Sequence, residues 1–143
     1  MIISNLLKDS SSMNIELHDD QLVGIYHKYK LLEVDVFFIN QNIYKKTLYL
    51  KGVLYFKCTD FENQNVVFEC IVYDNYNEDT YQYINSYVKL MVTNSNNEIL
   101  KNQPEIDNLI ELIVKKEKKL IVLIPSCGAT IITIVDSFIL EIW

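Results

Sequence analysis

The sequence predicts a mainly β, α+β fold: an antiparallel β-sandwich or partly open barrel with one helix near residues 104–116. Three observations carry this. Short stretches rich in β-branched and aromatic residues recur between Asn-, Asp- and Lys-rich breaks, as strands do between polar turns. Several of them alternate apolar and polar residues with the period of a half-buried strand. Only the window 104–116 combines a helix start, a helical apolar stripe and a helix stop.

Taken in order, residues 22–29 read as the first strand. Residues 31–39 follow, with Leu32, Val34, Val36 and Phe38 alternating against Glu33 and Asp35, and "NQN" at 40–42 makes the turn. Residues 47–57 give the clearest strand pattern, Leu48, Leu50, Leu54 and Phe56 against Tyr49, Lys51, Tyr55 and Lys57. Gly52 falls on its apolar face, a place for a bulge or a close backbone contact. Residues 66–73 put Val66, Phe68, Cys70 and Val72 on one face of a further strand. Residues 81–92 fit two patterns: Tyr81, Ile84, Val88 and Met91 have helical spacing, whereas "YVKLMV" suits a strand, and a strand over 86–92 is the expectation. The helix at 104–116 rests on Pro104 in its first turn, the early acids Glu105 and Asp107, the stripe Ile106, Leu109, Ile110 and Ile113, and the closing lysines. Residues 120–124, 130–135 and 138–143 close the chain as strands, the first two joined by a hairpin turn at 126–129.

A chain of 143 residues fits one domain, which buries about 70% of its unfolded surface at this size. The expected division is a loosely ordered lead-in over 1–13 and a single β-rich domain over 14–143. Half the residues are hydrophobic, enough to offset the entropy of folding. The apolar run "LIVLIPSCGATIITIV" has 16 residues broken by Pro125, Ser126 and Gly128, short of the roughly 20 a spanning helix needs, so no membrane association is expected.

The net charge is −6 and all 13 basic residues are Lys. Without the bidentate guanidinium fork or a basic patch, nucleic-acid binding is not expected, and a basic protein partner suits the charge better. The three cysteines, Cys58, Cys70 and Cys127, form no CxxC pair, and the first residues lack a signal-peptide pattern, so a reducing cytoplasm is the expected compartment. No cofactor is expected, and a monomer and a homodimer both stay open.

The stretch "ELHDDQLVGI" at 16–25 raises two chemistries. His18 and Asp19 could serve metal binding or acid/base catalysis, which needs further ligands or acids converging, and the second histidine, His27, lies nine residues on in the same strand. The architectural alternative is side-chain hydrogen bonding to backbone at the strand entrance, and it is the expectation. Cys127 beside Gly128 reads as a small turn residue, since nothing local would activate a nucleophile. The segment "YDNYNEDTYQY" at 73–83 offers Asp74, Tyr76, Glu78, Asp79, Tyr81 and Tyr83 as a partner-binding set, tyrosines as anchors and acids to steer a basic surface. A solvated loop stays open beside it.

Leu17, His18, Asp19, Leu22 and Ile25, then Leu48, Leu50, Gly52 and Val53, and finally Ser126, Gly128, Ile132 and Ile134 form a spaced pattern. It resembles small bacterial β-rich domains marked by an "LHD" run, some of them described as immunity proteins of polymorphic toxin systems. The pattern departs from them at Asp20, where a small residue is usual. The resemblance implies a β-rich fold in which His18, Asp19, Gly52, Ser126 and Gly128 are structural. It also implies a non-enzymatic, intracellular protein that neutralises a cognate, basic toxin domain by covering its surface. The competing expectations are a metal-dependent or acid/base enzyme centred on His18 and Asp19, and a structural partner in an assembly.

Overall fold

The computed structural model describes residues 2–4, 12–41, 44–74 and 78–143. These hold the strands β1 (Ile2–Ser4), β2 (Ser12–Asn14), β3 (Gln21–Lys28), β4 (Glu33–Asn40), β5 (Tyr44–Lys51), β6 (Tyr55–Thr59), β7 (Val66–Tyr73), β8 (Lys119–Cys127), β9 (Thr130–Val135) and β10 (Ser137–Ile142). Two helices, α1 (Glu78–Met91) and α2 (Gln103–Val114), separate β7 from β8. The fold is mainly β with helices, as the strand patterns predict.

The strands form one antiparallel sheet in the order β1-β10-β5-β4-β3-β7-β8-β9-β6, with β2 also on β7. Its weakest seam is between β3 and β7, which share the single ladder pair Gln21↔Val66. There the sheet turns over, so that two wings face each other. Leu22, Val34, Val36, Phe38, Leu48, Leu50, Phe138 and Leu140 from β3–β5 and β10 meet Cys70, Val72, Ile121, Leu123, Ile131 and Val135 from β7–β9 in one buried cluster. Period-two alternation explains which residues take part: on β8 and β9 the odd-numbered side chains point into this core and the even-numbered ones out of it. The outward set, Leu120, Val122, Ile132 and Ile134, makes a second core with Ile84, Val88 and Met91 of α1 and Ile106, Leu109, Ile110 and Ile113 of α2. Residues 120–123 are thus buried on both faces, which accounts for the unbroken apolar run without a membrane. No helix among the described residues is long and apolar enough to cross a membrane.

Four features differ from the sequence expectation. On β7, Phe68 does not share a face with Cys70 and Val72: it is exposed while they are in the core, because irregularities between Val66 and Glu69 shift the register. Where a strand over 86–92 is expected, residues 86–91 belong to a helix, so there are two helices where one is expected. The helical spacing prevails because Ile84, Val88 and Met91 together cover the outer face of the second wing, while Glu78 and Asp79 in the first turn and Lys89 in the last suit the helix dipole. The long strand over 47–57 is two strands in different wings: β5 lies between β4 and β10, and β6 pairs with β9. The break is at Gly52, at φ +63, where an added Cβ would run into the Asp136 carboxylate. The alternation reads straight through because both pieces bury one face. Finally, β4 begins only at Glu33, because Tyr29–Leu31 form a 3-10 turn and Leu32 has a positive φ. The helix at Gln103–Val114 starts from an Asn102 N-cap whose side chain accepts from the Glu105 amide, matching its signature. Within the amino-terminal stretch, Ile2–Ser4 pair with β10 and Ser12–Asn14 with β7.

Candidate functional site

Residues 12–22 run along the edge of β7, first as β2 and then as a kinked connection into β3. Ile15 donates its amide to the Cys70 carbonyl, Asp19 to Val67, and Leu22 to Asn65, while the Val67 amide returns to the Asp20 carbonyl. Ile15 and Leu17 point into the core, leaving Glu16 and His18 outside. The tight turn closed by the Asp20 amide on the Leu17 carbonyl puts Asp19 at φ +63, a conformation Asp tolerates better than most residues.

This turn separates three residues that look alike in sequence. His18 is exposed; its Nδ1–H donates to the Phe68 carbonyl at 2.8 Å, and its ring meets Phe68 edge-on with centroids 5.8 Å apart. Its Nε2 lies 3.4 Å from the exposed Asp19 carboxylate. Asp20 is turned inward and fully buried. Its Oδ1 accepts from Asn40 Nδ2 at 2.7 Å, and Lys46 Nζ sits 2.7 Å from its Oδ2, off the ideal hydrogen-bond direction, so the contact is an ion pair. Lys46 also donates to the Glu16 carbonyl. Asp20, not the His18–Asp19 pair, therefore locks β5 onto the corner between the wings.

Outside this corner lies a groove of about 240 Å³ with Glu16, His18, Phe68 and Glu69 in its lining. The His18 pKa is raised above its ordinary 6.5, first by the Phe68 carbonyl and then by the Asp19 charge; burial opposes this, and Glu16 and Glu69 add lesser contributions. Glu69 reaches a second group as well, because its charge also raises Tyr73 and Tyr87. Tyr73 and Tyr87 lie with ring centroids 6.2 Å apart. Burial pushes the Tyr73 hydroxyl up to about 12, helped by Tyr87 and Tyr83. Tyr83 and Tyr87 are four residues apart on α1 and share a face, Tyr83 half exposed at the rim. A face thus runs from Glu16 and His18 through Glu69 to the half-buried Tyr87 and the exposed Tyr83, with Tyr73 buried beneath it.

The partner-binding set read from the sequence only partly joins this face. Asp74 is half-buried at the end of β7; burial raises its carboxyl, while Lys119 and Lys116 pull the other way. Tyr76 lies outside the described residues. Glu78 and Asp79 are exposed in the first turn of α1, so this part is helix rather than loop. Tyr81 and Tyr83 are two residues apart on that helix and diverge by about 200°. Tyr81 turns toward α2, where it lines a hollow with Asp107, Ile110 and Glu111, and Tyr83 turns toward β7. Glu16, Glu69 and Tyr87 are the members of the face that the sequence reading passes over. The available signal was Glu69, a charge in the otherwise apolar run "NVVFECIVY".

The remaining singled-out positions are supports. Ser126 and Cys127 are exposed near the end of β8, with the Cys127 thiol toward the Gln64 carbonyl. Gly128 has φ +83, and an added Cβ would strike Asn65 and the Gln64 carbonyl. Asn65 is itself buried and binds the Glu62 amide, the Glu62 carbonyl and the Ala129 amide, tying the 60–65 loop to the β8–β9 turn. Burial pushes the Cys70 thiol up to about 12, which leaves it unreactive. Among the described residues, no three His, Cys, Asp or Glu side chains come together as a metal site.

What the face can do follows from its members. Clustered carboxylates attract ammonium and guanidinium groups over a Debye length, and tyrosine rings supply contact area and cation–π attraction at short range. Comparison with family models, with curated proteins and with solved structures gave no match.

Proposed function

We propose that this protein is a non-enzymatic binding protein that captures a basic protein surface on the face formed by β2, β7 and α1. Glu69 carries the reading: it lines the groove with Glu16, His18 and Phe68 at one end, and β7 leads from it to Tyr73, whose ring lies 6.2 Å from that of Tyr87, at the other. The "LHD" resemblance adds the finer proposal: an immunity protein acting in the cytoplasm, whose basic partner is a toxin domain inactivated by being covered. An enzyme centred on His18 and Asp19 has less behind it, because among the described residues no third His, Cys, Asp or Glu side chain joins the pair as a metal site.

The test is to co-express the chain with the product of the adjacent gene, purify the complex and measure its kinetics by surface plasmon resonance. Tyr83→Ala should speed dissociation at a cost of about 1–3 kcal/mol if the ring is an anchor. Glu16→Gln with Glu69→Gln should slow association and flatten its salt dependence. Protection of cells from the adjacent gene product should fall in parallel. A complex whose kinetics ignore both changes places the interface elsewhere.

A further inference from the structure

The outer face of the first wing, opposite the helices, carries a second opening of about 530 Å³. Strand register builds it. Ile39 pairs with Lys45, and the Trp143 amide donates to the Lys45 carbonyl, so Trp143, Lys45 and Ile39 lie side by side across three strands. The next row along the strands is Glu141, Thr47, Phe37 and Gly24. The bulge between Leu22 and Gly24 adds Val23 to the same face. The short Thr47 side chain, on the strand between those of Phe37 and Trp143, leaves a trough walled by Phe37, Ile39, Val23 and Trp143.

The charges around the trough are unequal. Lys46 points to the other side of β5, where Asp20 and the Glu16 carbonyl hold its ammonium. Glu141 accepts from the Tyr49 hydroxyl at 3.1 Å, and Lys28 pairs with Asp35 at 2.9 Å. Lys45 is exposed and makes no ion pair among the described residues, and no acid lines the trough. One lysine without an ion pair among the described residues therefore stands beside an apolar, aromatic cleft.

We propose that this trough binds a free amphipathic carboxylate, its anionic head on the Lys45 ammonium and its apolar tail along Phe37, Ile39, Val23 and Trp143. The volume falls in the range of roughly 300–1,000 Å³ typical of small-molecule sites, which are mostly apolar with a few polar groups. A single cation beside a short cleft suits one small anion better than a protein, whose interface covers about 800 Å² on each partner.

The sequence has one tryptophan, Trp143, 68% exposed, so its fluorescence reports on the trough. Titration with sodium decanoate below its micelle concentration should give a saturable blue shift, whereas decyltrimethylammonium should give none. Lys45→Glu should weaken decanoate binding by about tenfold or more through charge reversal, with an unchanged circular dichroism spectrum and urea midpoint. Phe37→Ala should weaken it as well. Four results would overturn the proposal: an equal response to the cationic amphiphile, a Lys45→Glu chain that binds as before, a larger response to phosphatidylglycerol vesicles than to free decanoate, or a ligand-free dimer in light scattering that Lys45→Glu dissociates. The last two would assign the face to a membrane or to a second copy.

Discussion

Replacing Lys46 by Met tests whether the buried carboxylate of Asp20 holds the corner between the wings. The Asp20 side chain is fully buried, while the Lys46 side chain keeps 15% of its exposure. Losing the ammonium leaves a carboxylate with only the Asn40 amide for company. Breaking a buried pair from one side costs about 3–5 kcal/mol, and the residual exposure of Lys46 puts this case at the lower end, about 3 kcal/mol. Asp20→Asn should cost less, about 1–3 kcal/mol, because the stranded ammonium lies nearer water and keeps the Glu16 carbonyl. The double variant should cost less than the sum of the two, since neither charge is then left alone. Urea titrations followed by circular dichroism at neutral pH give all three values. An Asp20→Asn loss as large as that of Lys46→Met, or strict additivity, would refute the argument that desolvation of the carboxylate dominates. Because Lys46 also holds the Glu16 backbone, Lys46→Met should weaken partner capture more than its distance from the tyrosines suggests.

Three further outcomes follow. Gly128→Ala should lose more than about 1 kcal/mol, since the residue needs a positive φ and a Cβ would displace Asn65; a change in thermal midpoint within error would contradict that account. Ile84→Ala should cost about 2–5 kcal/mol while Gln82→Ala stays within about 0.5 kcal/mol in chemical denaturation, and comparable losses would argue against the helical register of α1. His18→Gln should reduce stability at low pH only. The folded His18 pKa lies above 6.5, so its contribution is complete below that value and disappears as the pH rises through the folded pKa; a difference from the parent chain that grows toward alkaline pH would refute the Phe68 and Asp19 contacts as its cause.

How much of the site was legible depends on what each residue's neighbours are. Sequence reading marked the 16–25 run for attention but weighted His18 and Asp19, while Asp20 is the residue whose burial matters. Nothing local distinguishes two adjacent aspartates; a carboxylate becomes structural only when Lys46 and Asn40, 26 and 20 residues away, are brought to it. The acidic, tyrosine-rich segment stood out by composition, yet its helical turn sends Tyr81 and Tyr83 to different sides, and β7 supplies the Glu69 that completes the face.

By itself, the sequence determined the β-rich class, the helix at Gln103–Val114, the pairing of apolar faces in most strands and the acidic balance, because these depend on residue type and on spacings of two to four positions. Tertiary structure decided what local spacing leaves degenerate. The apolar stripe of α1 became a helix because β8 and β9 offered an outer face to cover, and the alternation over 47–57 was divided between two wings because Asp136 packs at Gly52. Contacts between residues far apart in the chain set those outcomes, and a periodicity reports only that one face is buried, not what buries it.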